Sequence, residues 1–363
     1  MSAPRRALAT GAIVLLAALA AVAGWWRWGA GEIRLLERHP TGIMGTSCTL
    51  AAAAPGGAGE AGEAALAAAE AELRRVEALM SNWIDASELS RFNAAPAGKR
   101  FHLSTDTLAV LRSSRRFWEL SGGAFDVTCR PQLELWKESG RRGLLPSPEE
   151  LAAARAHSHW DQLTLDEGSA VKSAGTLQVD LGGIAKGYGV DLALDAIRRH
   201  GLPGGLVEVG GDLAVFGRSP APGSGGAWPV GLRDPRADRA WGTLALRDAA
   251  VCTSGNYARF VTIDGRRYSH IVDPRSGRPA QEAASVTVIA PDALTADAWA
   301  TALAVLGRAG LDRLPADGSV QALVIVEEEG ELVAASTAAF AGLLSEADAD
   351  LRALLAGGRL AAR

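Results

Sequence analysis

Asp297 and Thr301 stand four residues apart in the alanine-rich stretch after Pro291, so on a helix both side-chain oxygens project from one face near its start. A carboxylate and a hydroxyl so placed suit Mg²⁺, which takes few protein oxygens and fills its shell with phosphate and water. The same pair also fits an acid complementing the helix dipole beside a core threonine. A second segment, Asp180-Leu181-Gly182-Gly183-Ile184-Ala185-Lys186-Gly187-Tyr188, reads as a strand ending in an acid, two glycines, and a helix start that carries a lysine. Backbone N–H groups at such a start, with Lys186 as a point charge, suit an anion such as a diphosphate; a tight strand-to-helix turn fits equally. The G-x-G-x-x-G spacing of a dinucleotide fingerprint is absent. Of six histidines, His270 alone sits amid dense polar residues, in Tyr268-Ser269-His270-Ile271-Val272-Asp273-Pro274-Arg275-Ser276-Gly277. It is a candidate general base or phosphate contact, or a half-buried histidine satisfied by backbone. Trp83 and Phe125 are candidates to line a flat ligand, and Asp126 to bind a ring or ribose, though each also fits ordinary packing.

These residues need elements to position them. Leu66, Ala69, Leu73, Val76 and Met80 recur at three and four residues, the stripe of a packed helix that ends just before Trp83. A second helix is predicted from Ser104 to Gly122-Gly123, and a third from Ser147, with Pro148 first and Glu150 completing a capping box. Strand-like stretches occur at Glu32 to Arg38 and Gly45 to Ala52. Short β runs then alternate with glycine turns: Leu163 to Leu165, Leu177 to Leu181, Leu206 to Val209, Leu213 to Phe216, Val230 to Arg233 and Thr243 to Leu246. Phe260 to Ile271, broken by Asp264-Gly265, carries a hairpin signal, and Val286 to Ala290 reads as a buried strand before a helix from Leu294 to Leu306. Strands Ala322 to Val326 and Leu332 to Ala334 follow. Strands outnumber helices without βαβ alternation, so the expected fold is a mixed α+β one, largely antiparallel.

The chain has 363 residues, 48% hydrophobic and 21% charged, enough to bury a large core. A net charge of −4 argues against general nucleic-acid binding. Arg5 and Arg6 precede an apolar run from Ala7 to Gly24, followed by Trp25, Trp26, Arg27 and Trp28. Residues 1–30 therefore read as a signal or membrane anchor, with the rest outside the membrane, and 346–363 as a C-terminal tail in the form of a loose helix. Three widely spaced cysteines, Cys48, Cys129 and Cys252, read as core fillers rather than a disulfide framework or zinc site. The basic residues are nearly all arginine, and only four lysines, three asparagines, three tyrosines and three methionines occur, so the places where these fall carry some information.

Taken in order, eight segments across roughly residues 40 to 345 resemble the ApbE flavin transferase family, FAD:protein FMN transferase. They are Met44-Gly45-Thr46, Met80 to Asn93, Gly123 to Thr128, Asp180 to Asp191, Gly210-Gly211-Asp212, Ser254 to Tyr257, Tyr268 to Pro279, and Ser285 to Gly307. The resemblance implies an ApbE-like domain over 31–345 and a Mg²⁺-dependent enzyme outside the cytoplasmic (inner) membrane. Such an enzyme splits FAD, attaches FMN to a threonine or serine of an acceptor flavoprotein, typically of a membrane respiratory complex, and releases AMP. It implies that Met44, Trp83, Ala124, Phe125, Asp126, Asp180, Lys186, His270 and Ile271 contact FAD. Mg²⁺ would be held by Asp297, Thr301 and a backbone oxygen at Gly183, with His270 as base. The chain departs from the family's pattern after Thr128, where Cys129-Arg130 replace a small or apolar pair before Pro131 and Gln132 replaces an apolar residue. Two other readings remain open: a Mg²⁺-dependent FAD pyrophosphatase giving FMN and AMP, and a membrane-tethered protein that binds FAD without turnover.

Overall fold

The computed structural model describes residues 33–255, 260–280 and 283–361. The signal or anchor expected at 1–30 lies outside these, as do Asn256 and Tyr257. Among the described residues no helix is long and apolar enough to cross a membrane.

Nine strands lie side by side in chain order, every neighbouring pair antiparallel: Arg34–Arg38, Cys48–Ala54, Gly204–Val209, Asp212–Gly217, Ala249–Gly255, Ala283–Ala290, Gln321–Glu328, Glu331–Ser336 and Leu360–Ala361. The fold is the mixed, antiparallel α+β class expected. Alternation along each strand divides the side chains. Val207, Ala214, Cys252, Val286, Val288 and Val324 pack beneath the helices Gly59–Met80, Ala185–Arg199 and Ala293–Leu306. Leu213, Val215, Val251, Ile289, Leu323 and Ile325 face the other way. A three-stranded sheet of Trp228–Arg233, Ala240–Leu246 and Leu344–Ala347 contributes Trp241 and Leu244 to that second core. Burial on both faces is why the Ala283–Ala290 strand reads as a nearly unbroken apolar run.

The expected helix stripe is fully enclosed: Leu66, Ala69, Leu73, Val76 and Met80 are all buried. Ser104 and Ser147 cap the next two expected helices, the second with a complete capping box. Several segments differ from expectation, among them the helix Glu88–Ala94, capped by Ser87, in a stretch that reads from its sequence as a polar loop. Leu177 to Leu181 joins no sheet; there the Asn93 side chain takes the place of a neighbouring strand: its Oδ1 accepts from Val179 N–H at 2.8 Å and its Nδ2 donates to Val179 O at 2.8 Å. Ala249–Gly255 is a central strand that its small residues did not signal. Arg130–Arg142 is an unforeseen helix with Pro131 in its first turn. The C-terminal stretch is docked as far as Ala361: Asp348 caps the helix Ala349–Leu355, Leu351 and Leu354 are buried, and Leu360 pairs with Leu332.

Candidate active site

Three separate parts of the chain meet where the helices Ala185–Arg199 and Ala293–Leu306 cross the sheet. Val209 and Asp212 are joined by Gly210 and Gly211, both at positive φ (60° and 94°), a two-residue turn that glycine adopts without strain. This register turns Asp212 to the helix face of the sheet, beside Cys252. There Asp212 Oδ2 accepts from Lys186 Nζ, and the same Nζ lies 3.6 Å from Asp297 Oδ2. Asp297 Oδ2 also accepts from Gly187 N–H at 3.1 Å. The helices approach so closely that a Cβ on Gly187 would stand 2.2 Å from Ala293 O, which explains the glycine. Thr301, one turn beyond Asp297, donates its hydroxyl to Gly183 O at 3.5 Å, and Gly183 has equally little room, since a Cβ there would meet Thr301 Oγ1 at 3.0 Å.

The cluster is buried, with Asp212 and Asp297 side chains only 4% and 3% exposed. Burial, and then the Asp212 carboxylate, push the Asp297 carboxyl well above its usual range, against the pull of Lys186 and Gly187 N–H. Burial disfavours the charge on Lys186, but Asp212 and Asp297 outweigh it and hold the ammonium protonated. Two carboxylates thus face one ammonium. Asp297 Oδ2 faces Lys186 and Gly187 N–H, and Gly183 O and Thr301 Oγ1 add two neutral oxygens beside this carboxylate. Such an all-oxygen set with one carboxylate fits Mg²⁺. It contains no cluster of three or more His, Cys, Asp or Glu of metal-binding kind, and none occurs among the described residues.

The helix start after Gly183 is less open to an anion than its sequence suggests. Gly182 N–H goes to Asp180 Oδ1 at 2.8 Å, Ile184 and Ala185 N–H to Leu181 O, and Gly187 N–H to Asp297. Among the side chains of this junction, Lys186 supplies the positive charge.

The remaining candidates, the rim, lie on separate turns, one of which touches the floor where Phe125 backs Gly183. Asp180 N–H donates to Val127 O at 2.7 Å, which ties the glycine loop to the turn that follows Asp126. Asp126 caps that turn, accepting from both Thr128 N–H and Thr128 Oγ1 at 2.7 Å; burial nonetheless raises its carboxyl to about 6. Both Asp126 and Asp180 act on the buried Cys129 thiol and, after burial itself, push it up. Phe125 is buried, edge-on to Phe117, and its ring backs Gly183 rather than offering an open face. Ala124 is buried in a small cluster with Ala280 and Val305, against which Ile271 packs. The His270 turn is thereby joined to the 123–128 segment, with His270 itself exposed. Trp83 is 83% exposed, with Lys137 Nζ 4.7 Å from its ring centroid. Met44 has a left-handed φ of 48°, held by its N–H bond to Glu77 Oε1 at 2.7 Å.

Several contributors were not assigned from the sequence. Asp212 holds Lys186, Asp191 accepts the first N–H groups of the Ala293–Leu306 helix (Ala293 at 2.7 Å and Leu294 at 2.9 Å), and Asn82 and Asn93 fix Val179 just before Asp180. Buried Lys172 donates to Asn93 O at 2.6 Å and Leu177 O at 3.2 Å. The rarity of asparagine and lysine in this chain was the available signal for three of these.

The comparisons with known proteins agree with this geometry. The family model described as the ApbE family matches residues 44–324, which takes in the floor and the rim. The FAD:protein FMN transferase of Vibrio cholerae is 34% identical over 279 residues, 76% of this chain and 83% of that protein. The Haemophilus influenzae protein of that name is 32% identical over 284 residues, 75% and 81% of the two chains. Among solved structures, the flavin transferase ApbE from Vibrio cholerae superposes with a TM-score of 0.77 at 31% identity, covering 86% of this chain and all (100%) of that one. The apo flavinyl transferase ApbE of Pseudomonas stutzeri gives 0.75 at 35% identity, covering 86% and 97%. With the helix-borne carboxylate and hydroxyl, the glycine loop and the histidine turn all inside the matched region, the chain belongs to the ApbE family.

Proposed function

We propose that this chain, a transferase by family, splits FAD in a Mg²⁺-dependent reaction and joins FMN through a phosphoester to a threonine or serine of an acceptor flavoprotein, releasing AMP. The observation that carries the reading is the convergence of Gly183, Lys186, Asp212, Asp297 and Thr301, from three parts of the chain, into one buried oxygen-rich cluster. Asp297, Thr301 and Gly183 O would hold Mg²⁺, which when bound supplies charge stabilisation to the diphosphate. Lys186, kept protonated by its two carboxylate neighbours, adds positive charge at the same place. Asp126 and Asp180 accept hydrogen bonds from donor groups of FAD, and Trp83 offers a flat surface for a ring. His270, exposed where an acceptor can reach it, takes the proton of the attacking hydroxyl. The hydroxyl oxygen then bonds to the FMN-side phosphorus while the bond to the bridging oxygen breaks and AMP leaves. The acceptor is proposed to be a subunit of a membrane respiratory complex. Arg5, Arg6, the apolar run Ala7 to Gly24 and the tryptophans after it support a location on the outer face of the cytoplasmic membrane.

Incubation with FAD, Mg²⁺ and an acceptor domain bearing a flavinylation threonine tests this, read by flavin fluorescence in a denaturing gel and by AMP release. A fluorescent acceptor band with equimolar AMP is expected. Free FMN with AMP and no band would replace the reading by a pyrophosphatase, and intact bound FAD would replace it by storage.

A further inference from the structure

We propose that Arg130 is a positioning residue of the FAD site, one that presets the Asp180 carboxylate and so determines affinity for FAD rather than the rate of transfer. The inference rests on the reading above that Asp180 contacts FAD.

Arg130 opens the helix Arg130–Arg142, directly after the turn capped by Asp126. Its side chain is largely covered, at 18% exposure, and reaches back to the glycine loop: Nε donates to Gln178 Oε1 at 3.1 Å and Nη1 lies 3.6 Å from Asp180 Oδ2. Nη2 lies 3.7 Å from Glu134 Oε1 on the next turn of the same helix. The other carboxylate oxygen of Asp180 already takes Gly182 N–H, so the loop fixes Oδ1 and Arg130 faces Oδ2.

Two physical consequences follow. An unpaired carboxylate adds to the negative charge that an anionic ligand such as FAD must approach, and a guanidinium alongside offsets that repulsion. A carboxylate held in one rotamer before the ligand arrives loses less entropy on binding. Both act in the ground state and the transition state alike, so they lower KM and leave kcat. Arg130 also sits at the end of a strut. Farther along its helix, Gln132 Nε2 donates to Pro274 O at 3.2 Å and Trp136 Nε1 to Gly277 O at 2.8 Å, while Trp136 stacks on Tyr268 at 5.4 Å. The helix thus ties the loop bearing Asp180 to the turn bearing His270.

The test compares Arg130→Leu and Arg130→Lys in the wild-type and Asp180→Asn backgrounds, measuring the dissociation constant for FAD by flavin fluorescence, and kcat and KM for transfer. Arg130→Leu is expected to weaken FAD binding by about fivefold with kcat within about twofold, Arg130→Lys to restore most of the loss, and the leucine effect to shrink below about twofold once Asp180 is asparagine. Equal FAD affinity in Arg130→Leu and wild type overturns the proposal, as does an undiminished loss in the Asp180→Asn background. A loss of kcat with KM unchanged overturns it too. Wild-type protein that binds no FAD overturns the functional reading and this inference together. Tight wild-type binding unaffected by Asp180→Asn removes only the role given to Asp180 and what depends on it.

Discussion

The floor and the rim of the site are built by opposite means. Lys186 and Asp297 stand on two helices that cross the sheet at Asp212, and Lys186 Nζ, Asp212 Oδ2 and Asp297 Oδ2 are each met by another part of the core. Trp83, His270 and Lys137 stand at the surface, on turns and on one helix, with solvent on one side. Buried charges must find partners at folding, so the floor is set before any ligand arrives. Exposed groups carry no such requirement and are available to a large, variable partner. The difference teaches where to look for each kind of specificity: on the function proposed above, the cation and diphosphate would belong to the floor, the flavin and acceptor to the rim.

The sharpest way to break that division is Asp297→Ala. Loss of about 10³-fold or more in AMP release is expected, together with lost Mg²⁺ dependence of the melting temperature, while Lys186 keeps Asp212 as partner. Near-normal turnover would remove the floor from the chemistry. His270→Ala should slow transfer by about 10²-fold with FAD affinity unchanged, as expected of a rim base; equal loss of affinity would make it a binding residue instead. Gly187→Ala tests whether the floor depends on close helix approach, and chemical denaturation should show a loss of about 2–3 kcal/mol.

Asp191→Asn is smaller in effect and concerns the support beneath the floor. Burial raises the Asp191 carboxyl from an ordinary 3.8 to about 7, against the backbone N–H groups of Ala293 and Leu294. Between those values the folded chain holds a proton that the unfolded chain has released, so this residue's contribution to stability declines as pH rises through the window. The asparagine variant should flatten that decline in a series of melting curves and, by losing one acceptor oxygen, cost about 1–2 kcal/mol at low pH. A slope identical to wild type would place the proton elsewhere. Smallest of all on stability, Trp83→Ala should leave the melting temperature within about a degree while weakening FAD binding a few fold, because the side chain is 83% exposed.

Much of the floor was legible in the sequence because its logic is local. Asp297 and Thr301 share a helix face at a spacing that can be counted, and Gly183 and Lys186 flank the start of the next helix after a glycine pair. The partner of Lys186 was not legible, since Asp212 reaches it only through the pairing of two strands and a two-glycine turn. Leu177 to Leu181 has the apolar alternation of a strand, but alternation cannot tell whether a ladder partner or an asparagine amide will satisfy the backbone. Ala249–Gly255 failed in the other direction: its small residues signal little, and its neighbours on both sides impose the extended form. The rim was read as residues without a frame, because the helix Arg130–Arg142 that braces it begins at the departure from the familiar pattern.

Strands adjacent in the large sheet are also successive among its strands along the chain, so much of it can zip together through short-range hairpins. One seam is different. Roughly 150 residues separate Cys48–Ala54 from Gly204–Val209, and joining them closes the longest loop in the sheet, at the greatest entropic cost. Gly183 and Lys186 travel on that loop, whereas Asp212, Asp297 and Thr301 belong to the part that assembles locally. Any ligand bridging the two sides binds only after the seam has closed, and so acts as a latch on it: loading the site slows opening of the whole fold as well as filling a pocket.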